Sequence, residues 1–485
     1  MNVWINIWPL AILLGAILIG WVLPVKYLRT FNGLVIVLMM ASLFMPLWHL
    51  FRPVDALAYW FDITATVFGA FAIWFSGPYI AVESGLHDWD EHRVKGYYLG
   101  LYTFVGSLMA MALLANYLLL WVALEVATLS SIYLVQTSGT RTSLEAAWRY
   151  LVVTESGGLA GLLGTILILV GSARNLGTWG LMPASTSLPV NSTMVLAGII
   201  LAAVGYGAKA GLAPFHTWLP DAHSEAPAPV SALLSGVKLA GAVLILDRLF
   251  SLSSGAVPAA WPHDLLWILG LLSLIIAASF VAFQKDLKRL WAYSSIEHIG
   301  LIALGLGFGG LGVLGALLHV WTHAINKTLL FYNAGTVRLY YHGVSSLPDT
   351  SGLLESSPYT GGLLALGATG IVGLPPFAPF WSEWLILMGG IAQGHVVVTI
   401  VAIILLLAIF GGITLKMPRW LFTPGESRKN RVHEPWRLIL PSMTLGVLVV
   451  IGGIALPGLL PHMFHHAAAI LRYTSPSRVV MPKNS

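Results

Sequence analysis

Residues 205–225 read GYGAKAGLAPFHTWLPDAHSE, and they place a lysine, Lys209, inside an otherwise apolar span. Glycines interrupt this span on both sides of the lysine, and Pro214 follows them. A lysine at membrane depth costs about 2.5–3.5 kcal/mol on insertion scales, so the chain must pair it or let it lose its proton. A charge in a helix broken by Gly and Pro indicates a proton or ion pathway.

The composition of the chain is that of a polytopic membrane protein. Of its 485 residues, 57% are hydrophobic and 9% are charged, and the mean hydropathy is +0.82. A soluble domain carries about 25% charged residues. The first apolar run lacks a basic n-region and a cleavage site, so we expect a retained helix. Since about 20 residues cross the hydrocarbon core, the apolar runs predict an all-α fold of about 14 transmembrane helices. The predicted spans are 4–24, 31–50, 56–82, 97–115, 116–137, 145–171, 194–218, 228–250, 263–283, 290–310, 311–333, 360–390, 394–416 and 436–457.

The chain contains no cysteine, which excludes thiolate-held iron–sulfur clusters, a Cys-rich zinc site and disulfides. No Gly-rich phosphate loop of the dinucleotide or Walker type is present in the sequence. We therefore expect no cofactor or metal in this chain, and any redox centre that it serves lies in another subunit.

The basic residues predict how the chain is oriented. With fourteen spans, the loops on the side opposite the termini carry 16 Lys and Arg residues, and the terminal side carries 6. The positive-inside rule then places both termini outside the cytoplasm. Three further lysines, Lys209, Lys238 and Lys327, lie inside spans. The net charge of +5 is thus mostly a topology signal and does not indicate nucleic-acid binding.

Spans 4–8 and 9–13 can be superposed as two five-helix repeats. In each repeat the fourth span is interrupted: Pro214 follows Lys209 in the first, and Pro375 and Pro376 precede Glu383 in the second. Broken spans in corresponding positions point to a transport site near the midplane, and an odd number of helices makes the two repeats inverted. A loop between two shorter spans is the alternative interpretation of the double proline. The predicted organisation is 1–95 for spans 1–3, 96–250 for the first repeat, 251–417 for the second, and 418–485 for the last helix and tail.

The first repeat contains a carboxylate and two lysines at membrane depth. Glu125 lies deep in span 5 within LLLWVALEVATLSS, and Lys209 and Lys238 lie in spans 7 and 8. A lysine loses its proton when desolvated and regains it when a carboxylate approaches, which is the property of a switchable proton carrier. The alternatives are a structural ion pair for Glu125 and a snorkelling position for Lys238.

Span 11 contains a second group in the stretch LLHVWTHAINKTLLF. His319, His323 and Lys327 are spaced four residues apart and share one helix face, about 6 Å apart along the axis. Two histidines and a lysine in file predict a proton relay, because imidazole both donates and accepts near neutral pH. Structural hydrogen bonding is the alternative. A metal site is disfavoured because no third ligand follows the metalloprotease pattern.

Three further ionisable residues are candidates for the same pathway. Glu297 and His298 begin span 10 in AYSSIEHIG, where they either join the relay or cap a helix. Glu383 follows the break in span 12, where it is either an exit residue or an interfacial carboxylate among tryptophans. No clear role is evident for Arg149 and Glu155, and Asp62 is expected to be structural. The loop after Lys209 either feeds protons inward or is plainly solvated, and its polar residues are His216, Asp221, His223 and Glu225.

Four stretches resemble one family, the antiporter-like proton-pumping subunits of respiratory complex I, Mrp antiporters and group 4 membrane-bound hydrogenases. They are LEVATL around Glu125; AKAGLAPFHTWLPDAHSEAPAPVSALLSG around Lys209; RLWAYSSIEHIGLIALGLG with LLHVWTHAINKTLLF; and GLPPFAPFWSEWLIL around Glu383. Within the family, Glu297 in YSSIEHIG and a Glu at position 383 most resemble the hydrogenase-4 component F type.

The resemblance implies roles for the matching positions. Glu125 and Lys209 would be the ion pair of the first half-channel, Lys327 the central carrier of the second, and Glu383 the exit residue. It also implies a prokaryotic inner membrane, other membrane subunits and a peripheral redox arm of hydrogenase or NADH-dehydrogenase type as partners. The expected function is proton translocation within a redox complex. The alternatives are an Mrp-type Na⁺(K⁺)/H⁺ antiporter subunit, a membrane subunit of an inorganic-carbon uptake complex, and an assembly subunit with a blocked pathway.

Overall fold

The computed structural model describes residues 8–44, 56–114, 116–172, 190–258, 260–341, 343, 346, 350–423 and 431–474. Nearly all of them form helices, and within these ranges the only β pairing is two isolated bridges. The helices are α1 (Trp8–Val22), α2 (Val25–Phe44), α3 (Ala56–Leu86), α4 (Glu91–Leu113), α5 (Tyr117–Val135), α6 (Arg141–Gly171), α7 (Ser192–Ala210), α8 (Leu219–Glu225), α9 (Ala228–Leu233), α10 (Leu239–Leu252), α11 (Ala260–Val281), α12 (Leu287–Phe308), α13 (Leu311–Tyr340), α14 (Leu353–Ser356), α15 (Pro358–Ile371), α16 (Ala378–Ala392), α17 (Val396–Thr414), α18 (Met417–Phe422) and α19 (Trp436–Thr474).

The all-α membrane fold expected from the apolar runs is confirmed. Within the described ranges, ten helices are long and apolar enough to cross a membrane. They do not include α12 and α13, which carry most of the polar groups of the second predicted repeat. The total of fourteen spans and the two inverted repeats stay predictions. The start of the first predicted span, the end of the second, and several basic residues used for the orientation lie outside the described residues; these basic residues are Arg52, Arg174, Arg428, Lys429, Arg478 and Lys483.

Polar caps fix where the helices that carry the site begin. Asn116, Thr140 and Asn191 precede α5, α6 and α7, and the side chain of each accepts a hydrogen bond from a backbone N–H of the first turn. Asp286 caps α12 in the same way. Because a cap satisfies donors that the helix itself leaves unpaired, these residues set the starting register of each helix. That register determines which face of the helix Glu125, Glu155 and Lys209 occupy.

Two helices break where the sequence predicts breaks. Helix α7 ends at Ala210, and Gly211 follows with a φ of 69°, a left-handed conformation that favours glycine. In the second case α15 ends at Ile371, and Gly373 has a φ of 71° before α16 begins. Each of α15 and α16 is shorter than the roughly 20 residues needed to cross the hydrocarbon core, which favours one broken span over two separate ones.

Glycines let the backbones of helices α6 and α7 approach each other more closely than they could with larger side chains between them. A Cβ on Gly205 would lie 2.2 Å from the backbone nitrogen of Gly161, and one on Gly164 would lie 2.4 Å from that of Ala202. Small residues therefore let the two backbones pack directly, as in other membrane helix pairs. This contact holds the end of α7, with its lysine, against α6.

A π-helical turn at Leu234–Lys238 separates α9 from α10, a feature that the sequence did not predict. Gly236 in this turn faces α13, where a Cβ would lie 3.2 Å from Cα of Ala324. π-turns inside helices are rare and are frequent at functional sites. This one ends at a buried lysine and packs the first predicted repeat against the second.

Candidate functional site

Lys209 lies between two carboxylates contributed by different helices. Its Nζ is 2.5 Å from Oε2 of Glu125 on α5 and 3.3 Å from Oε1 of Glu155 on α6. The Lys209 side chain is 1% exposed, Glu125 is 11% exposed and Glu155 is 33% exposed. Nζ also lies 3.4 Å from the hydroxyl of Thr128 on α5. One ammonium therefore faces two carboxylates in a largely buried site, where the pairing is far less screened than in water.

A glycine makes room for this cluster. A Cβ on Gly158 of α6 would lie 2.2 Å from Oε1 of Glu125 and 3.0 Å from Nζ of Lys209. The Gly158 carbonyl accepts a 2.9 Å hydrogen bond from the indole of Trp121, which ties α6 to α5 beside the pair. Oε1 of Glu125 is buried and has no hydrogen-bond partner among the described residues.

The structure brings Glu125 and Lys209 together, as the sequence predicted. It also assigns a partner to Glu155, whose role the sequence did not reveal. Glu125, Glu155 and Lys209 lie on three different helices, α5, α6 and α7. No pattern within a single helix could therefore have predicted that the two carboxylates contact the same lysine. Arg149 does not share this site: it pairs with Asp221 at 2.8 Å and with Glu145 at 2.5 Å.

Lys238, at the end of the π-turn, is fully buried among aromatic rings. Its Nζ donates a 2.7 Å hydrogen bond to the Tyr150 hydroxyl and lies 5.0 Å above the Trp218 ring. The Tyr150 and Trp218 rings stack at 4.1 Å, which holds the hydroxyl in place. The same hydroxyl is 2.7 Å from Oγ of Ser131 on α5. The complete burial excludes the snorkelling alternative for Lys238.

Polar groups continue from the π-turn into the second predicted repeat. Oγ of Ser235 is 2.7 Å from Oγ of Ser295 on α12, and Ser295 donates to the Trp291 carbonyl at 2.8 Å. Nζ of Lys327 on α13 donates to the same carbonyl, also at 2.8 Å. All these side chains are buried. The serine pair and one backbone carbonyl thus lead from the π-helical turn that ends at Lys238 to Lys327 on α13.

The histidines predicted as a relay lie beside one another in the core. Nδ1 of His298 on α12 is 2.9 Å from Nε2 of His319 on α13, and Nδ1 of His319 is 2.8 Å from Oγ of Ser382 on α16. The His323 ring lies parallel to His319 at 6.2 Å and 5.1 Å from His298. Both nitrogens of His323 are buried and lack a hydrogen-bond partner in the described part of the chain. Buried polar atoms without partners mark places where internal water is expected.

The two carboxylates of the second group flank the histidines. Oε2 of Glu297 lies 3.7 Å from Nε2 of His298 and 3.3 Å from the hydroxyl of Ser294. Glu383 is half-buried on α16, and its carboxylate fills the space beside Gly373 at the helix break. His298, His319 and Glu383 each offer a ligand atom, and these three atoms lie within 4.8 Å of one another. The sequence paired His319 with His323 as a possible metal pair and missed this other combination, because it joins three helices.

The segment after Lys209 is held in place by ion pairs and by a buried histidine, so it is not a plainly solvated loop. Asp221 on α8 accepts hydrogen bonds from Arg149 of α6 and from Arg289 of α12, which joins the two predicted repeats. His223 is fully buried, its Nδ1 lies 2.9 Å from the Leu219 carbonyl, and burial lowers its pKa to about 3. The imidazole is therefore neutral in the folded protein. His216 is partly buried.

Asp62 lies on α3, outside both predicted repeats, and is nearly fully buried. Its Oδ1 has no hydrogen-bond partner among the described residues. The prediction that it is structural stays open.

Comparison with known proteins places the chain in a family. The sequence pattern of the family described as "NADH:quinone oxidoreductase/Mrp antiporter, TM" matches residues 115–411, which contain every residue of the clusters above. The chain belongs to this family. The resemblance inferred from the four motifs is therefore confirmed, and the chain is an antiporter-like membrane subunit of the kind found in complex I-type and hydrogenase-4-type complexes.

Individual relatives agree with this assignment. The chain is 34% identical over 427 residues to the hydrogenase-4 component F homolog of Methylacidiphilum infernorum, covering 86% of this chain and 88% of that one. A chain of respiratory complex I from Thermus thermophilus superposes with a TM-score of 0.74 at 26% identity, covering 93% of this chain and 98% of that one. A chain of an archaeal membrane-bound sulfane sulfur reductase has the same fold, with a TM-score of 0.84, 22% identity and 96% coverage of both chains.

Proposed function

We propose that this chain moves protons across the membrane as one subunit of a redox-driven complex. The observation that carries the proposal is the buried cluster in which Lys209 faces both Glu125 and Glu155 at the end of a broken helix. A lysine holds its proton beside carboxylates and releases it in apolar surroundings. A small movement at the α7 break changes which of these environments surrounds Nζ, and so it switches proton affinity.

The two carboxylates give this switch two positions. Glu125 is held at 2.5 Å, and Glu155, 3.3 Å away and more exposed, faces the ammonium from α6. When Lys209 turns from one carboxylate to the other, the first is left without its counter-charge and takes up a proton. This exchange needs no large helix movement, because both partners already lie within reach of Nζ.

The route then continues through the polar groups that cross the molecule. Lys209 contacts Thr128 on α5, and Ser131 and Tyr150 lead from Thr128 to Lys238. The serine pair of the same π-helical turn and the Trp291 carbonyl lead on to Lys327. From Lys327 the proton passes along the histidine cluster, with Glu297 beside it, and leaves past Glu383 at the second break. The residues in the proposed order are Glu125, Lys209, Lys238, Lys327, Glu297, His323, His298, His319 and Glu383.

The orientation and the internal repeats are part of the proposal. Both termini lie outside the cytoplasm of a prokaryotic inner membrane, which the distribution of basic residues supports. Residues 96–250 and 251–417 form two inverted repeats, which the left-handed glycines at both helix breaks support. The arm that drives transport is a peripheral redox module of hydrogenase or NADH-dehydrogenase type, bound through other membrane subunits.

Proton uptake by vesicles that contain the reconstituted complex tests the proposal, with redox turnover measured in parallel. Lys209→Ala and Glu125→Ala should abolish proton movement while the complex still assembles. Lys285→Ala, which removes an exposed lysine from the loop before α12, is the matched control and should pump normally. Coupled transport that survives both Lys209→Ala and Glu125→Ala would overturn the proposal.

The second candidate function is exchange of Na⁺ or K⁺ for protons, because the family that the chain belongs to also includes Mrp antiporters. The same vesicles distinguish the two functions. Proton movement that needs Na⁺ or K⁺ but no redox substrate would identify the antiporter, whereas transport driven by redox turnover in sodium-free medium identifies the pump.

A further inference from the structure

The second helix break brings together a donor set that suits a metal ion. His298 and His319 are fully buried, Glu383 is half-buried, and one ligand atom from each lies within 4.8 Å of the other two. The three residues come from α12, α13 and α16, so they converge from three directions. Two imidazoles and one carboxylate match the three protein ligands of many zinc sites.

Hydrogen bonds around His319 leave the correct nitrogen free to bind a metal. With the Ser382 hydroxyl donating to the Pro379 carbonyl, 2.8 Å away, its oxygen is free to accept from Nδ1–H of His319, also 2.8 Å away. That bond fixes the tautomer in which Nε2 carries a lone pair, and Nε2 points at Nδ1 of His298, 2.9 Å away. A metal-binding histidine typically donates its other ring N–H to an oxygen in this way.

The distances need only small adjustment to hold an ion. With zinc–ligand bonds of about 2.0–2.2 Å, neighbouring donors in a tetrahedral site lie roughly 3.3 Å apart. The 2.9 Å separation between the two imidazole nitrogens must widen slightly, and the Glu383 carboxylate must move inward. Gly373 leaves room for this carboxylate, because a Cβ at that position would lie 2.4 Å from Oε2 of Glu383.

We propose that His298, His319 and Glu383 form a binding site for a divalent transition-metal ion of the zinc class. The proton between the two imidazoles moves to Nε2 of His298, which lies 3.7 Å from Oε2 of Glu297, so both rings bind the ion as neutral ligands, and a water molecule completes its coordination. Imidazole with carboxylate favours zinc, copper and nickel over magnesium and calcium, which prefer all-oxygen sites. Because Glu383 is the one ligand of the three that is not fully buried, we expect the ion to enter from its side.

Bound metal has a functional consequence that rests on the function proposed above. The three ligands are consecutive stations of the proton route, so an ion there blocks transfer between the histidines and the exit. The binding itself does not depend on that route, and the two claims are tested separately.

Direct metal binding is the first measurement. The purified complex with the full-length chain, isolated through a tag other than oligohistidine, is titrated with Zn²⁺ against a chromophoric chelator, and bound zinc is examined by X-ray absorption. We expect one site per chain that His298→Gln or Glu383→Gln removes, with nitrogen and oxygen neighbours at about 2.0–2.2 Å. Ser382→Ala should weaken binding about 10–100-fold, because the His319 ring loses its orienting partner.

Matched controls separate this site from general histidine binding. His323→Gln changes a buried histidine one turn along α13, and His395→Gln changes one that packs on Phe308; both should bind zinc as the unmodified chain does. Unchanged zinc binding in His298→Gln and Glu383→Gln would overturn the proposal, as would loss of binding in His323→Gln alone. If zinc binds as expected but proton uptake continues at saturating metal, the site stands and its place on the route is refuted.

Discussion

Replacing Gly158 by alanine should disable the Lys209–Glu125 pair without removing a charge. The new Cβ would lie 2.2 Å from Oε1 of Glu125 and 3.0 Å from Nζ of Lys209. An ordinary contact between heavy atoms is about 3.5 Å, so the carboxylate must move by about 1.3 Å. Alanine is a better helix former than glycine, so α6 itself is not weakened.

The size of the effect follows from the distances. The pair is 2.5 Å long, and a displacement of about 1.3 Å lengthens it to about 3.8 Å. At an effective dielectric constant of about 20, the attraction then falls by about 2 kcal/mol. This loss corresponds to roughly 30-fold in the equilibrium between the closed and the open pair. We therefore expect coupled proton transport to fall by about tenfold or more.

The assay is proton uptake per electron in vesicles that contain the reconstituted complex, with assembly checked by the yield of intact complex. Gly161→Ala is the matched control, because its Cβ would lie 3.4 Å from the Tyr206 ring, an ordinary contact one turn along the same helix. Normal transport in an assembled Gly158→Ala complex would refute the idea that the geometry of this pair controls proton movement. Equal loss in Gly161→Ala would instead trace the defect to the packing of α6.

Three further predictions concern the groups around this pair. Glu155→Gln removes one of the two carboxylate positions of the proposed switch. It should reduce transport in the vesicle assay by about fivefold, less than Glu125→Gln does, because a carboxylate that is 33% exposed is partly screened. Unchanged transport, or a larger loss than in Glu125→Gln, would contradict this prediction. Tyr150→Phe removes the hydroxyl that accepts a hydrogen bond from Lys238 but keeps the ring. A hydrogen bond to a charged group contributes about 1.5–3 kcal/mol, so its loss should slow transport about 10–100-fold. Unchanged transport would show that Lys238 is not on the route. His223→Gln should make the stability of the protein less sensitive to acid. In the unmodified chain, His223 has a pKa of about 3 when folded, so below about pH 6.5 only the unfolded chain binds a proton at this residue. The stability of the unmodified chain therefore falls as the pH drops from about 6.5 towards 3, and the variant lacks this contribution. Thermal unfolding at pH 7.5 and pH 5 measures this, and an equal acid shift in both proteins would argue against a neutral buried imidazole.

The fold class followed directly from composition and from the positions of Gly and Pro. Apolar runs predicted the helices, and the breaks after Lys209 and before Glu383 appear where glycine and proline interrupt them. The π-helical turn that ends at Lys238 was not predictable, because its residues have no distinctive composition, and its Gly236 packs against α13, which lies far away in the sequence.

The sequence predicted those site residues whose charge has a high free-energy cost in the membrane. It did not predict which residues they contact. The cost of burial singles out Glu125, Lys209 and Lys327 from a single sequence. Glu155 escaped this reasoning because it is partly exposed and its contact is made with a lysine 54 residues away. Asp221 was grouped with a loop that could be solvated, although its two arginine partners come from both predicted repeats.

The sequence by itself determined that this protein is helical, that it spans a membrane, and that charged residues lie within its spans, because these properties depend on local composition and on the cost of charge in hydrocarbon. Its motifs also determined the family. Only the tertiary structure decided which charges meet. Lys209 faces two carboxylates, Tyr150 holds Lys238 from 88 residues away, and His298 joins His319 and Glu383 from three helices. Such contacts depend on how helices pack and rotate against one another, and no pattern within a single helix encodes that arrangement.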